Sequence, residues 1–127
     1  LSLSLSQFAM DDENAFATDE VKAIINKVLN ALLKDQIFVQ QKVDTWVGTA
    51  VENVLKELAV MNDDAAKSNG AATPFKYAVH CTLQQKAGAG LANACTCYWD
   101  KALDGCVSQK WENEHIQAVC VVYGVAV

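Results

Sequence analysis

With 127 residues, 52% of them hydrophobic, the chain has the material for one folded core and not for two. Its net charge of −5, with ten lysines and no arginine, argues against a nucleic-acid surface, which relies on basic patches and on arginine. The longest apolar run, Ala118 to Tyr123, falls far short of the roughly 20 residues a spanning helix needs, so no membrane insertion is expected.

The first nine residues alternate Leu and Ser, without positive charge or a continuous apolar stretch, and make a poor signal peptide. Met10, followed by Asp11, Asp12 and Glu13, reads as the natural start, so residues 1–14 are expected to be a leader, disordered or non-native in part. Residues 15–127 read as a single domain.

Thr18 reads as a helix N-cap, with Asp19 and Glu20 in the first turn to suit the helix dipole. Val21, Ile24, Ile25, Val28, Leu29 and Leu32 follow in steps of three and one, the stripe of an amphipathic helix over about 18–34. Val43, Trp46, Val47, Ala50, Val54, Leu55 and Leu58 form a second stripe, on a helix over about 40–60. Met61 to Thr73, with Asn62-Asp63-Asp64 and Ser68-Asn69-Gly70, reads as a polar loop closed by Pro74.

From Phe75 the period becomes two: Phe75, Tyr77, Val79, Cys81 and Leu83 alternate with Lys76, Ala78, His80, Thr82 and Gln84, a half-buried strand over about 75–86. Ala87-Gly88-Ala89-Gly90 turns the chain into a second expected strand at 91–99. Asp104-Gly105 is a turn signal, 106–112 a third strand with Trp111 on its apolar face, and Asn113-Glu114 another turn. His115 to Val125, with Val119 to Val122 continuously apolar, reads as a central strand buried on both faces. The fold class is α+β: two N-terminal helices packed on a mostly antiparallel four-stranded sheet.

Catalysis needs a nucleophile, a base and an orienting group, or a metal cluster, and no such pattern stands out. His80 and His115 lack surrounding triad motifs and read as surface or structural histidines. Cys95-x-Cys97 on a strand, without a second pair, does not fit the usual structural zinc spacing. Gly88-Ala89-Gly90 precedes a strand and lacks the third glycine of a dinucleotide loop. No catalytic, cofactor or metal residue is assigned. Cys81, Cys95, Cys97, Cys106 and Cys120 are odd in number, which points to reduced cysteines in an intracellular protein. Trp46 falls on a core stripe, while Trp99 suits core and contact surface equally.

Several motifs in order resemble one family. Pro74-Phe75-Lys76-Tyr77, Gln85-Lys86-Ala87-Gly88-Ala89-Gly90-Leu91, Cys97-Tyr98-Trp99-Asp100 with Asp104-Gly105, Trp111-Glu112-Asn113, and the tail Tyr123-Gly124-Val125-Ala126-Val127 are similar to those of Tctex-type dynein light chains. Ala15-Phe16, Asp19-Glu20-Val21 and Trp46 match its two helices. The loop at 61–73 looks longer than the family's, and the Leu/Ser leader has no counterpart. The resemblance implies a strand-exchanged homodimer without enzyme activity, binding the dynein intermediate chain and able to engage cargo proteins, in the cytoplasm and cytoskeleton or the axoneme. A dynein-independent dimeric adaptor with the same fold stays open beside it.

Binding is expected by strand addition to residues 91–99. Ala92, Asn93, Ala94, Cys95, Thr96 and Cys97 let a second backbone approach, and Leu91, Tyr98 and Trp99 offer apolar anchors. The alternative is that this strand is only core.

Overall fold

The computed structural model describes residues 16–69, 75–88 and 90–126. The expected leader, its Met10, and Pro74 lie outside the described residues.

Helix α1, Thr18–Leu33, buries Val21, Ile25, Val28, Leu29 and Leu33, as its apolar stripe requires. Thr18 is not its N-cap: Ala17 occupies that position without a side-chain hydrogen bond, and its carbonyl accepts from the Val21 amide at 3.0 Å. Asp19 and Glu20 do lie in the first turn. At the other end Asp35 adopts a left-handed φ of 65°, a conformation that Asp tolerates better than most residues.

A single 3₁₀ turn, Gln40–Lys42, leads into α2, Val43–Asn69. Its buried ridge is Trp46, Ala50, Val54 and Leu58, each one turn after the last. Lys27 of α1 reaches Glu57 of α2 at 2.9 Å, an exposed ion pair beside the packed ridges. The expected loop over Met61–Thr73 is corrected for residues 61–69, where the helix continues to Asn69; residues 70–73 lie outside the described residues. Asn62, Asp63 and Asp64 are weak helix formers, but each costs only some tenths of a kcal/mol. Between Gly48 and Gly70 the chain carries no glycine or proline, and Met61 still packs against the core.

The sheet has three strands among the described residues: β1, Phe75–Gln85; β2, Gly105–Glu112; and β3, Ile116–Ala126. Their order is β1-β3-β2, both pairings antiparallel. The last strand is therefore central, as expected. On its inner face Ile116, Ala118, Cys120 and Val122 are buried beneath the helices, α2 packing over β1 and α1 over β2. Phe75, Tyr77, Val79, Cys81 and Leu83 join that core from β1, and Trp111 from β2.

Two expectations fail. The central strand is not buried along both faces: on the outer one only Val121 is buried, and Val125 is 41% exposed. Nor do residues 91–99 form a strand within this chain. A strand is held by a ladder to a neighbour, and within the described residues β3 already has β1 and β2 on its two sides.

Candidate functional site

The segment 91–99 is held at both ends and loose in the middle. Before it, the Lys86 amide bonds the His115 carbonyl at 2.9 Å, and the Lys86 ammonium lies 3.5 Å from Glu112. Gly88 follows with a φ of 85°, which glycine adopts without steric cost.

After it, Asp100 to Asp104 form a knotted turn. The Asp104 amide donates to the Asp100 carbonyl at 2.8 Å, and the Ala102 amide to Asp100 Oδ1 at 3.0 Å. The Asp104 carboxylate, 8% exposed, accepts from the Asp100 amide at 3.1 Å and from the Ala126 amide at 2.8 Å. One buried side chain thus ties the turn to the end of the central strand. From the sequence, Asp104 reads only as a turn residue.

Between these anchors, Leu91 to Tyr98 are exposed, Leu91 by 51% and Tyr98 completely, while Trp99 is half-buried. The segment touches the outer face of the sheet at a few points. Trp99 meets Tyr123 edge to face with ring centroids 6.4 Å apart. Cys95 Sγ lies 3.9 Å from Cys106 Sγ.

An open cleft of about 670 Å³ lies beside these contacts. Leu91, Asn93, Ala94 and Cys95 form one wall; His80, Ser108, Lys110, Gln117, Val119, Val121 and Tyr123 of the three strands form the floor. Five positions expected to bind therefore behave differently from the rest: Leu91, Asn93, Ala94 and Cys95 line the cleft, and Trp99 packs on Tyr123. Ala92, Thr96, Cys97 and Tyr98 are simply exposed. Tyr123 is a cleft residue that motif reading did not single out, although its alternation with buried Val122 and Gly124 places it on the outer face.

Two of the thiols here, Cys97 and Cys106, hold their protons more firmly than a free cysteine. Burial pushes the Cys106 thiol up to about 12, helped by its hydrogen bond to Cys95. Burial and then the neighbouring Cys95 raise Cys97. The Tyr123 hydroxyl is pushed up to about 12, first by a hydrogen bond with Cys95. His80 is exposed on the cleft floor, and His115 lies in the turn before β3, 3.9 Å from Glu114, rather than on a strand. Among the described residues no group of three or more His, Cys, Asp or Glu side chains is placed to hold a metal ion. Among them, too, no helix is long and apolar enough to cross a membrane.

Two helices over an antiparallel sheet, with a displaced segment where a fourth strand is expected, fit the resemblance drawn from the motifs. The Tctex-1 family model matches residues 15–125. The chain belongs to the Tctex-1 family. It is 33% identical over 121 residues to a protein named dynein light chain Tctex-type of Drosophila melanogaster, covering 93% of this chain and 100% of the relative. It is 29% identical over 112 residues to a protein of the same name in Dictyostelium discoideum, covering 88% and 93%. The human dynein light chain Tctex-type 3 is 27% identical over 116 residues, 91% of each chain. In this Tctex-1 family member the family match spans both helices, the sheet and the 91–99 segment.

Proposed function

We propose that this chain is a non-catalytic light chain of a dynein motor complex, acting as a homodimer that binds the dynein intermediate chain and links cargo for microtubule-based transport. Kinship with dynein light chains of the Tctex type over nearly the whole chain supports the motor role. The observation that carries the binding mode is the segment 91–99: anchored at both ends, exposed, and unpaired beside an open sheet face.

An unpaired extended segment and uncovered sheet edges are sites where backbone joins backbone. Exchange of 91–99 between two copies would give each segment a ladder partner. It would also cover apolar outer-face residues such as Val119, which is only partly buried. A peptide of the intermediate chain then adds beside Leu91, Ala92, Asn93, Ala94, Cys95, Thr96, Cys97, Tyr98 and Trp99, with small side chains admitting its backbone. Two such grooves favour a dimeric partner, because the second contact becomes intramolecular. The complex resides in the cytoplasm on the microtubule cytoskeleton.

Sedimentation of the purified chain at micromolar concentration is expected to give a dimer; a monomer alone overturns the dimer. Thr96→Arg adds bulk and charge to an exposed position. It is expected to weaken binding of an intermediate-chain peptide at least tenfold while the dimer persists. A dimeric variant with unchanged affinity places the groove elsewhere. Absence of any intermediate chain from a pull-down in source cells, with other partners recovered, favours a dynein-independent adaptor.

A further inference from the structure

Cys95 and Cys106 belong to no motif that the family resemblance uses. Their sulfurs lie 3.9 Å apart although the residues are 11 positions apart in the chain. One sits exposed on the loosely held segment; the other sits on β2, half-buried, on the outer face that the segment crosses. A disulfide has an S–S length of about 2.05 Å, so the sulfurs need to approach by about 2 Å. The exposed segment can make that approach without moving the sheet, because among 91–98 no residue is buried. We infer that Cys95 and Cys106 form a reversible disulfide under peroxide, which pins the 91–99 segment to the chain's own sheet.

The chemistry begins at Cys95, because it is the exposed partner, and because Cys106, pushed up to about 12, keeps its proton at neutral pH. The Cys95 thiolate attacks one oxygen of hydrogen peroxide, breaking the O–O bond. This leaves a sulfenic acid on Cys95, and the departing hydroxide takes up a proton to become water. Cys106 attacks the sulfenic sulfur; its proton leaves with the sulfenic hydroxyl as a second water, and the S–S bond closes. Two thiols are oxidised by two electrons and one peroxide is reduced to two waters. Cys81 and Cys120 face each other across the β1–β3 ladder on the inner side of the sheet, away from the segment, with thiols raised to about 11 and about 12 by burial, and serve as an internal control pair.

The consequence for assembly rests on the proposed strand exchange: a segment bonded to its own β2 cannot leave for a second copy. Oxidation then converts dimer to monomer, and a thiol reductant restores the dimer.

The test treats the full reduced chain with hydrogen peroxide, alkylates it in denaturant, and reads intact mass and a non-reducing peptide map. Two of the five thiols are expected to be lost, in one bridge joining Cys95 to Cys106. The bridge is expected to persist in Cys97→Ser and to be absent from Cys95→Ser and from Cys106→Ser. Five alkylated thiols after peroxide, a bridge through Cys97, or a cross-linked dimer on a non-reducing gel overturns the pairing. Sedimentation of the same samples separates the two claims. An oxidised chain that remains dimeric overturns the pinning, whereas a reduced chain that is monomeric overturns the strand-exchange reading and leaves the disulfide to be judged on its map.

Discussion

Phe16 lies over two glycines that face each other across the β2–β3 ladder. Gly105 pairs with Gly124 in the register, and a Cβ built on either collides with the Phe16 ring. The two missing side chains make a slot, and the ring fills it, 3% exposed and edge-on to Phe75 at 5.6 Å. Phe16→Ala is expected to destabilise the fold by about 3–5 kcal/mol, the range for deleting a buried aromatic ring, read from urea denaturation. Gly124→Ala is expected to cost stability too, because the sheet cannot move away from the ring; an unchanged midpoint removes the slot argument. Asn113 has a comparable position in the hairpin. Its Oδ1 accepts from the His115 and Ile116 amides at 2.7 and 2.8 Å. Its Nδ2 donates to the Leu33 and Gln36 carbonyls at 3.1 and 3.0 Å, closing the end of α1. All the polar atoms of this side chain are therefore engaged. Asn113→Asp keeps the two acceptor bonds but aims a carboxylate at two carbonyls. A loss of about 1–3 kcal/mol is expected, as for unsatisfied buried partners; urea midpoints equal to the parent's show that α1 needs no such tie.

At the scale of elements, the unexpected length of α2 carries a direct test. Beyond Leu58, Met61 is a residue of α2 that still packs against the core. Asp63→Pro removes one amide donor and clashes with the preceding turn. The last turns are expected to unravel, lowering the helical circular dichroism signal, while the thermal midpoint falls less than it does for Leu58→Ala. A spectrum identical to the parent's means that the segment after Met61 is not helical. The same comparison shows what was legible beforehand. Apolar steps of three and four placed α1 and the first half of α2, and alternation placed β1, because burial of a side chain depends on local period. Asn62-Asp63-Asp64 misled because turn preference is a weak local bias, and continuity of the helix overrides it when no glycine or proline intervenes. Residues 91–99 misled for a different reason. Their composition suits a strand, but a strand also requires a neighbour, and sequence carries no record of whether that neighbour is in the same chain. For the candidate site, composition alone singled out 91–99 as a segment of small residues with Trp99 at its end. Tyr123, Asp104 and the thiol pair of Cys95 and Cys106 were not singled out, since each gains its role from a contact between distant stretches.

For the whole molecule, the acid–base behaviour of the core sets an upper pH limit on stability. Cys81 and Cys120 face each other across the β1–β3 ladder, Cys120 fully buried and Cys81 packed against the same core. Burial raises their thiols to about 11 and about 12, the neighbouring Cys81 adding to the effect at Cys120. In the unfolded chain a cysteine ionises near 8.5. Above that pH the unfolded chain has released protons that the folded chain still holds, so the unfolded state binds fewer protons and stability falls as pH rises. The sign is fixed: stability is fully present below about pH 8.5 and declines as pH climbs towards the folded values of about 11 and 12. Tyr77, raised by burial from 10.0, adds in the same direction at the top of that window. Thermal midpoints of the reduced chain are therefore expected to be flat from pH 7 to 8 and to drop steadily from about pH 9 to 11, within the interval that these pKa values define. Cys120→Ala removes the most strongly shifted of the two thiols. It is expected to lower the midpoint slightly at pH 7, through the small cavity, and to flatten the alkaline decline. A parallel decline in parent and variant places the loss in the other raised groups, Cys81, Cys106, Tyr77 and Tyr123, instead.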